Sequence, residues 1–141
     1  MELKYTLLIA DRNPHVRDFL KREMLAAGYR IILADTGRDV VMWTFRHNLL
    51  DLLIIDPDLP DAEESDMMKK ICSRIPALPV VMHTYAADDT SYRDLSCVSA
   101  VVEKKGNSIE NLKQVVAEIL SRSKPRAVVP TQYREPLIEL K

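Results

Sequence analysis

A chain of 141 residues, 47% hydrophobic and 6% aromatic, is long enough to bury one real core and too short for two comfortable domains. Its 20 basic and 21 acidic residues leave a net charge of −1, so no global field recruits nucleic acid or an anionic membrane. No apolar run is long enough to cross a bilayer and nothing near Met1 resembles a signal peptide, so the expectation is a cytoplasmic protein.

From Tyr5 to about Ser123, short apolar runs alternate with longer amphipathic ones, which is a βα pattern. TLLIA reads as the first strand, followed by a helix that Asn13 caps, Pro14 opens and Gly28 ends, with Val16, Phe19, Leu20 and Met24 on one face. RIILA is the second strand, and Thr36 and Gly37 begin a helix running through Val40, Val41, Trp43, Thr44 and His47. DLLII, unbroken by polar residues, suits a third strand covered on both faces, and Pro57 marks its end because a proline cannot donate to a central ladder. A helix over roughly Glu63 to Arg74 follows, then LPVVMHT as a fourth strand introduced by Pro79. A weaker helical signal spans Asp88 to Leu95, AVVE is a short fifth strand, and Ser108 is read as the cap of a last helix striped by Ile109, Leu112, Val116, Ile119 and Leu120. The organisation expected is a domain over residues 1–123 and a tail over 124–141, where Pro125, Pro130 and Pro136 exclude a continuous helix. That tail is a linker, an arm packed on the domain, or the remnant of a connection to something else.

Five strands and five helices joined by right-handed crossovers wind into an open α/β sheet, doubly wound and parallel, with helices on both faces. Ligands of such sheets gather at the carboxyl ends of the strands. The residues at those ends are Asp11, Asp56, Thr84 and the pair Lys104 and Lys105, with Asp35 and Thr36 from the second strand. Two acids, a hydroxyl and a cation on one edge are what a small anionic transfer site needs.

At these residues the chain resembles the receiver domain of bacterial response regulators, CheY-like proteins of two-component systems. LLIADRNPHVR resembles the first strand and acidic loop, DLLIIDPDLP the phosphoacceptor segment, PVVMHT the strand ending in the hydroxyl residue, and the lysine before GNSIENL the site lysine. The resemblance implies the flavodoxin-like (βα)5 fold with strand order 2-1-3-4-5. It implies that Asp56 accepts a phosphoryl group from a sensor histidine kinase or phosphotransfer protein, and that Thr84 senses the phosphate. The spacing to Leu112 favours Lys105 as the lysine that pairs with the acceptor, with Lys104 as the other register. It further implies Mg²⁺ held by Asp11 and Asp56, a protein target downstream, and a homodimer through the face of helix four, strand five and helix five.

One departure bears on the chemistry. The family has two adjacent acids after strand one, the second a direct metal ligand, and here the second place is Arg12. Mg²⁺ is strict about its oxygen geometry, so a guanidinium there removes a ligand and adds repulsion. Asp58 or Asn13 is then needed as a replacement oxygen, or else the domain is a pseudo-receiver, an interaction module working without phosphorylation. Glu63 and Glu64 stand where the family has Asp-Gly, and the aromatic switch position is Val102, or Val101 in the Lys104 register; Tyr85 and Tyr92 are the candidate substitutes.

The remaining features are bland. Asp58, Asp61, Glu63, Glu64 and Asp66 read as a solvated acidic loop face, and Met42, Met67 and Met68 read as packing. His15, His47 and His83 lack ligand spacing, and Cys72 and Cys97 lack CxxC spacing and read as buried thiols in a reducing compartment. DPDLP also resembles the DxDx(T/V) signature of haloacid dehalogenase-like phosphatases. Pro60 breaks that match and the segment lies on the third strand, so the chain is not read as an enzyme. Three glycines leave no phosphate-cradling loop.

Overall fold

The computed structural model describes residues 2–47, 49–62, 66–85, 94–122 and 127–129. Its elements are β1 Glu2–Lys4, β2 Thr6–Ala10, α1 Pro14–Ala26, β3 Arg30–Ala34, α2 Gly37–Arg46, β4 Leu52–Ile55, α3 Met67–Cys72, β5 Val80–Thr84, β6 Val98–Glu103, α4 Ser108–Leu120 and β7 Ala127–Val129. Five strands form a parallel sheet in the order β3-β2-β4-β5-β6, which is 2-1-3-4-5 when these five are counted alone. The flavodoxin-like, doubly wound arrangement expected from the sequence is therefore the one found.

Strand parity sorts the aliphatic side chains between two cores. Leu7, Ile9, Leu52, Ile54, Val81 and Val102 pack beneath α1 and α4, against Leu20, Met24, Leu112 and Val116. Leu8, Ala10, Leu53, Ile55, Val80 and Met82 point the other way, onto Val40 of α2 and Met67 and Ile71 of α3. The central strands β2, β4 and β5 are buried at every position, which explains runs of Leu, Ile and Val without polar alternation.

Helix ends follow the sequence signals with one exception. Asn13 caps α1 by accepting from the backbone N–H groups of His15 and Val16, and Thr36 caps α2 through Asp39 N–H. Past α1, Gly28 donates to Leu25 and Tyr29 donates to Met24, the paired bonds of a glycine-terminated helix. Gly28 has φ +97°, and a Cβ added there meets nothing within 4 Å. Gly28→Ala is thus expected to destabilise by about 1 kcal/mol through backbone strain alone, which urea unfolding of the two proteins measures. The exception is α4, where Asn107 holds the cap position without a side-chain cap bond and Ser108 is already the first helical residue.

Three other expectations change. The helix expected over Glu63 to Arg74 is described as Met67–Cys72, because Asp66 lies in the left-handed region at φ 49° and breaks the helical backbone before it. The first part of that span, and residues 88–93 of the weak helix, fall outside the described residues. The tail contributes β7, which pairs antiparallel with β1, Glu2 opposite Val129 and Lys4 opposite Ala127, to form a second, two-stranded sheet. Cys72 and Cys97 are bonded to each other as a disulfide rather than left as thiols. They lie 25 positions apart in sequence, but the end of α3 and the approach to β6 bring their Cα atoms to 5.1 Å. No helix among the described residues is long and apolar enough to cross a membrane.

Candidate functional site

The parity that sorts the core also builds the site. Asp11 lies two residues beyond Ile9, Asp56 two beyond Ile54, and Lys104 two beyond Val102, so all three side chains continue the α1/α4 face past the strand ends. There they meet. Lys104 Nζ donates to Asp11 Oδ2 at 2.8 Å and to Asp56 Oδ2 at 2.6 Å. All three are buried, with side-chain exposures of 8% for the lysine and 2% and 9% for the acids. The other carboxylate oxygens accept from the backbone, Asp11 Oδ1 from Asn13 N–H and Asp56 Oδ1 from Asp58 N–H, both at 2.9 Å.

The lysine at the carboxylates is Lys104, not Lys105. Lys105 has the opposite parity, and its exposed ammonium lies 3.3 Å from Glu103. In this register the switch position of strand five falls on Val101, which is half-buried against the α2/α3 core. Burial would lower the Lys104 pKa, but the hydrogen bonds and charges of Asp11 and Asp56 outweigh it and raise the ammonium above its usual range. The Tyr85 ring lies over the same ammonium, 5.1 Å from Nζ to ring centroid, with the ring otherwise largely exposed. Tyr92 lies outside the described residues.

Thr84 is buried on the neighbouring strand, and its carbonyl accepts from Lys104 N–H at 3.0 Å. With Asp56, Arg12 and Tyr85 it lines a cleft of about 760 Å³ that opens from the strand tips toward Met67. Arg17 donates to the Asp11 carbonyl at 2.8 Å and fixes the loop after β2. On the far side of the loop after β4, the Asp61 carboxylate accepts from Gly37 and Arg38 N–H at the start of α2, and those bonds hold its pKa below the usual range. Asp61 therefore ties two loops together and is absent from the cluster around Lys104.

Arg12 turns away from Lys104 and onto the loop after β4. Its Nε donates to the Asp58 carbonyl at 2.9 Å, and a terminal nitrogen lies 3.6 Å from an Asp58 carboxylate oxygen. The oxygens expected to hold Mg²⁺ thus already carry other partners. Asp11 and Asp56 share an ammonium, Asp58 faces a guanidinium with its carboxylate largely in solvent, and Asn13 Oδ1 caps α1. The described residues contain no group of three or more His, Cys, Asp or Glu arranged to hold a metal ion. This donor set does not fit a hexacoordinate hard cation.

The sequence gives His83 no role at the site. It precedes Thr84, shares parity with Val81 and so faces α4, where Nε2 meets Ser108 Oγ at 3.2 Å. Its Nδ1 is buried without a partner among the described residues. Burial first, and the Lys104 charge second, lower its pKa to about 4 against the opposing pull of Asp11 and Asp56. The folded state therefore holds a neutral imidazole that the unfolded chain protonates near its ordinary value. Its contribution to stability is complete above about pH 6.5 and falls as the pH drops toward 4. Between pH 7 and pH 5 the loss is expected to be about 2 kcal/mol, and it should vanish in a His83→Gln variant when urea unfolding is compared at the two pH values.

Comparison with known proteins gives the family and the fold. The family described as response regulator receiver domain matches residues 7–119. Response regulator protein TrrA from Thermotoga maritima, solved in complex with Mg²⁺-BeF, is 26% identical with a TM-score of 0.69, covering 82% of this chain and 99% of its own. The complex of histidine kinase ThkA with TrrA matches with 26% identity and a TM-score of 0.68, over 82% of this chain and 98% of that one. Chemotaxis response regulator CheY4 of Vibrio cholerae shares the fold at 17% identity, with a TM-score of 0.72 over 83% of this chain and 99% of its own. Among curated proteins, none matches by sequence.

Proposed function

This chain belongs to the response regulator receiver domain family, and from that premise we propose that it is a signalling module that accepts a phosphoryl group on Asp56. The observation that carries the reading is the Lys104 ammonium 2.6 Å from the Asp56 carboxylate at a strand tip that opens into a cleft. A carboxylate attacks phosphorus only when the repulsion between anions is cancelled, and phosphoryl transfer depends chiefly on positioning and neutralisation. Each Asp56 oxygen accepts one hydrogen bond and retains a lone pair for attack. In the transfer, an Asp56 oxygen forms the bond to phosphorus as the bond to a phosphohistidine nitrogen breaks, and the leaving imidazole keeps the electron pair and takes a proton. Lys104 then bridges Asp11 and the new phosphoryl oxygens, and Thr84 faces the same cleft as a hydrogen-bond donor to them.

The donor is proposed to be a histidine kinase, in line with the kinase complex of the 26% identical TrrA. The output is a change of contacts with a protein target rather than catalysis on a substrate. Residues 2–4 and 127–129 pair as a small sheet of their own. A homodimer is one form the changed contacts can take.

A second reading is favoured by the Arg12 contact to Asp58. In it the site is permanently neutralised and the domain is a pseudo-receiver that binds its partner without phosphorylation. Incubation of the folded protein with phosphoramidate, followed by partner capture with wild type and Asp56→Asn, separates the two. Binding that needs both phosphoramidate and Asp56 supports the phosphoacceptor, and binding indifferent to both supports the pseudo-receiver.

A further inference from the structure

Cation positions around the two carboxylates are already filled from within the chain. Lys104 Nζ lies 2.8 Å and 2.6 Å from one oxygen each of Asp11 and Asp56, the place from which a bridging cation would hold both. The next oxygen outward, the Asp58 carbonyl, accepts from Arg12 Nε at 2.9 Å. Asp58 N–H in turn donates to Asp56 Oδ1, so Arg12, Asp58 and Asp56 form one connected chain of hydrogen bonds. Within the buried set one ammonium stands against two carboxylates, and beside it the half-exposed Arg12 guanidinium faces the largely exposed Asp58 carboxylate. Half of the Arg12 side chain is exposed to solvent, and Arg12 lines the same cleft as Asp56 and Thr84, so its remaining N–H groups can reach an entering anion.

We propose that Arg12 and Lys104 replace the divalent cation in this receiver, so that the site excludes Mg²⁺ and takes a phosphoryl anion on the two side-chain cations alone. The proposal rests on Asp56 as the acceptor only for its second half. Exclusion of the metal follows from charge. A divalent ion binding Asp11 and Asp56 competes with Lys104 for the oxygens it already bridges, and it meets the Arg12 guanidinium on the Asp58 carbonyl beside them. A guanidinium also suits an anion better than it suits a cation's neighbour, because its fork of N–H donors matches two phosphoryl oxygens.

The test uses Mn²⁺ as a paramagnetic probe in ¹⁵N NMR of the full chain, with wild type, Arg12→Asp and Asp56→Asn. The expected result is no site-specific broadening around Asp11, Asp56 and Thr84 in wild type, and broadening there in Arg12→Asp, a gain of at least about tenfold in Mn²⁺ affinity. Broadening in wild type that Asp56→Asn removes would overturn the proposal. Failure of Arg12→Asp to gain binding would overturn the role assigned to Arg12. A second arm labels wild type with acetyl phosphate in EDTA and in MgCl₂. Equal adduct in both supports metal-free transfer, and adduct only with MgCl₂ overturns it. Absence of adduct in both, with no Mn²⁺ broadening, counts against Asp56 as acceptor while upholding exclusion of the metal.

Discussion

Lys104→Met is expected to cost about 3–5 kcal/mol of folding stability, because it leaves two buried carboxylates facing each other without their counter-charge. The lysine side chain is 8% exposed and bonded to both acids. Methionine restores the length of the stem and none of the charge, which makes the loss electrostatic rather than a matter of packing. Lys105→Met is the matched control. Its ammonium is exposed beside Glu103, and its removal should change stability by less than about 0.5 kcal/mol. Urea unfolding at pH 7 reads both. Comparable losses in the two variants would show that Lys104 is not the lysine that neutralises the acids, and a large loss in Lys105→Met alone would restore the register that the spacing to Leu112 suggests.

The second large effect is on chemistry. Asp56→Asn is expected to abolish phosphoryl incorporation, since an amide oxygen does not displace a leaving group from phosphorus to give a stable acyl phosphate. The fold should survive the change to within about 1 kcal/mol. The amide oxygen can still accept from Asp58 N–H, and Lys104 keeps Asp11 as its partner. Asp58→Asn, by contrast, should label normally, because the Asp58 carboxylate is largely in solvent and touches the site only through Arg12. Label that persists in Asp56→Asn and disappears in Asp58→Asn would move the acceptor to Asp58.

Much of this site is legible in the sequence, for a reason particular to parallel sheets. Strands buried on both faces announce themselves as unbroken aliphatic runs, and a polar residue that ends such a run must sit at the sheet edge. Asp11, Asp56 and Thr84 stand out in that way. The choice between Lys104 and Lys105 is legible too, by a signal that the helix spacing obscures. Counting in steps of two from Val102, as from Ile9 and Ile54, reaches Lys104 and passes over Lys105. His83 is hidden by the same continuity, since it lies inside the apolar run LPVVMHT and only the structure shows that it faces Ser108.

Other features depend on distances that no local pattern encodes. Cys72 and Cys97 are brought together by the packing of α3 beside the sheet, and neither position carries a spacing motif. The pairing of Glu2–Lys4 with Ala127–Val129 joins segments far apart in the chain, and three-residue strands are too short to show a period. The fate of Arg12 is of the same kind. A loop arginine usually points into solvent, and its bond to the Asp58 carbonyl follows from where two loops meet at the sheet edge.

The most direct measurement is intact-protein mass spectrometry of the folded chain after incubation with acetyl phosphate, beside Asp56→Asn. The expected result is a labile phosphoryl adduct on wild type that is absent from Asp56→Asn. A folded wild-type protein that acquires no adduct, or an adduct that persists in Asp56→Asn, would contradict the assignment of Asp56 as the phosphoacceptor.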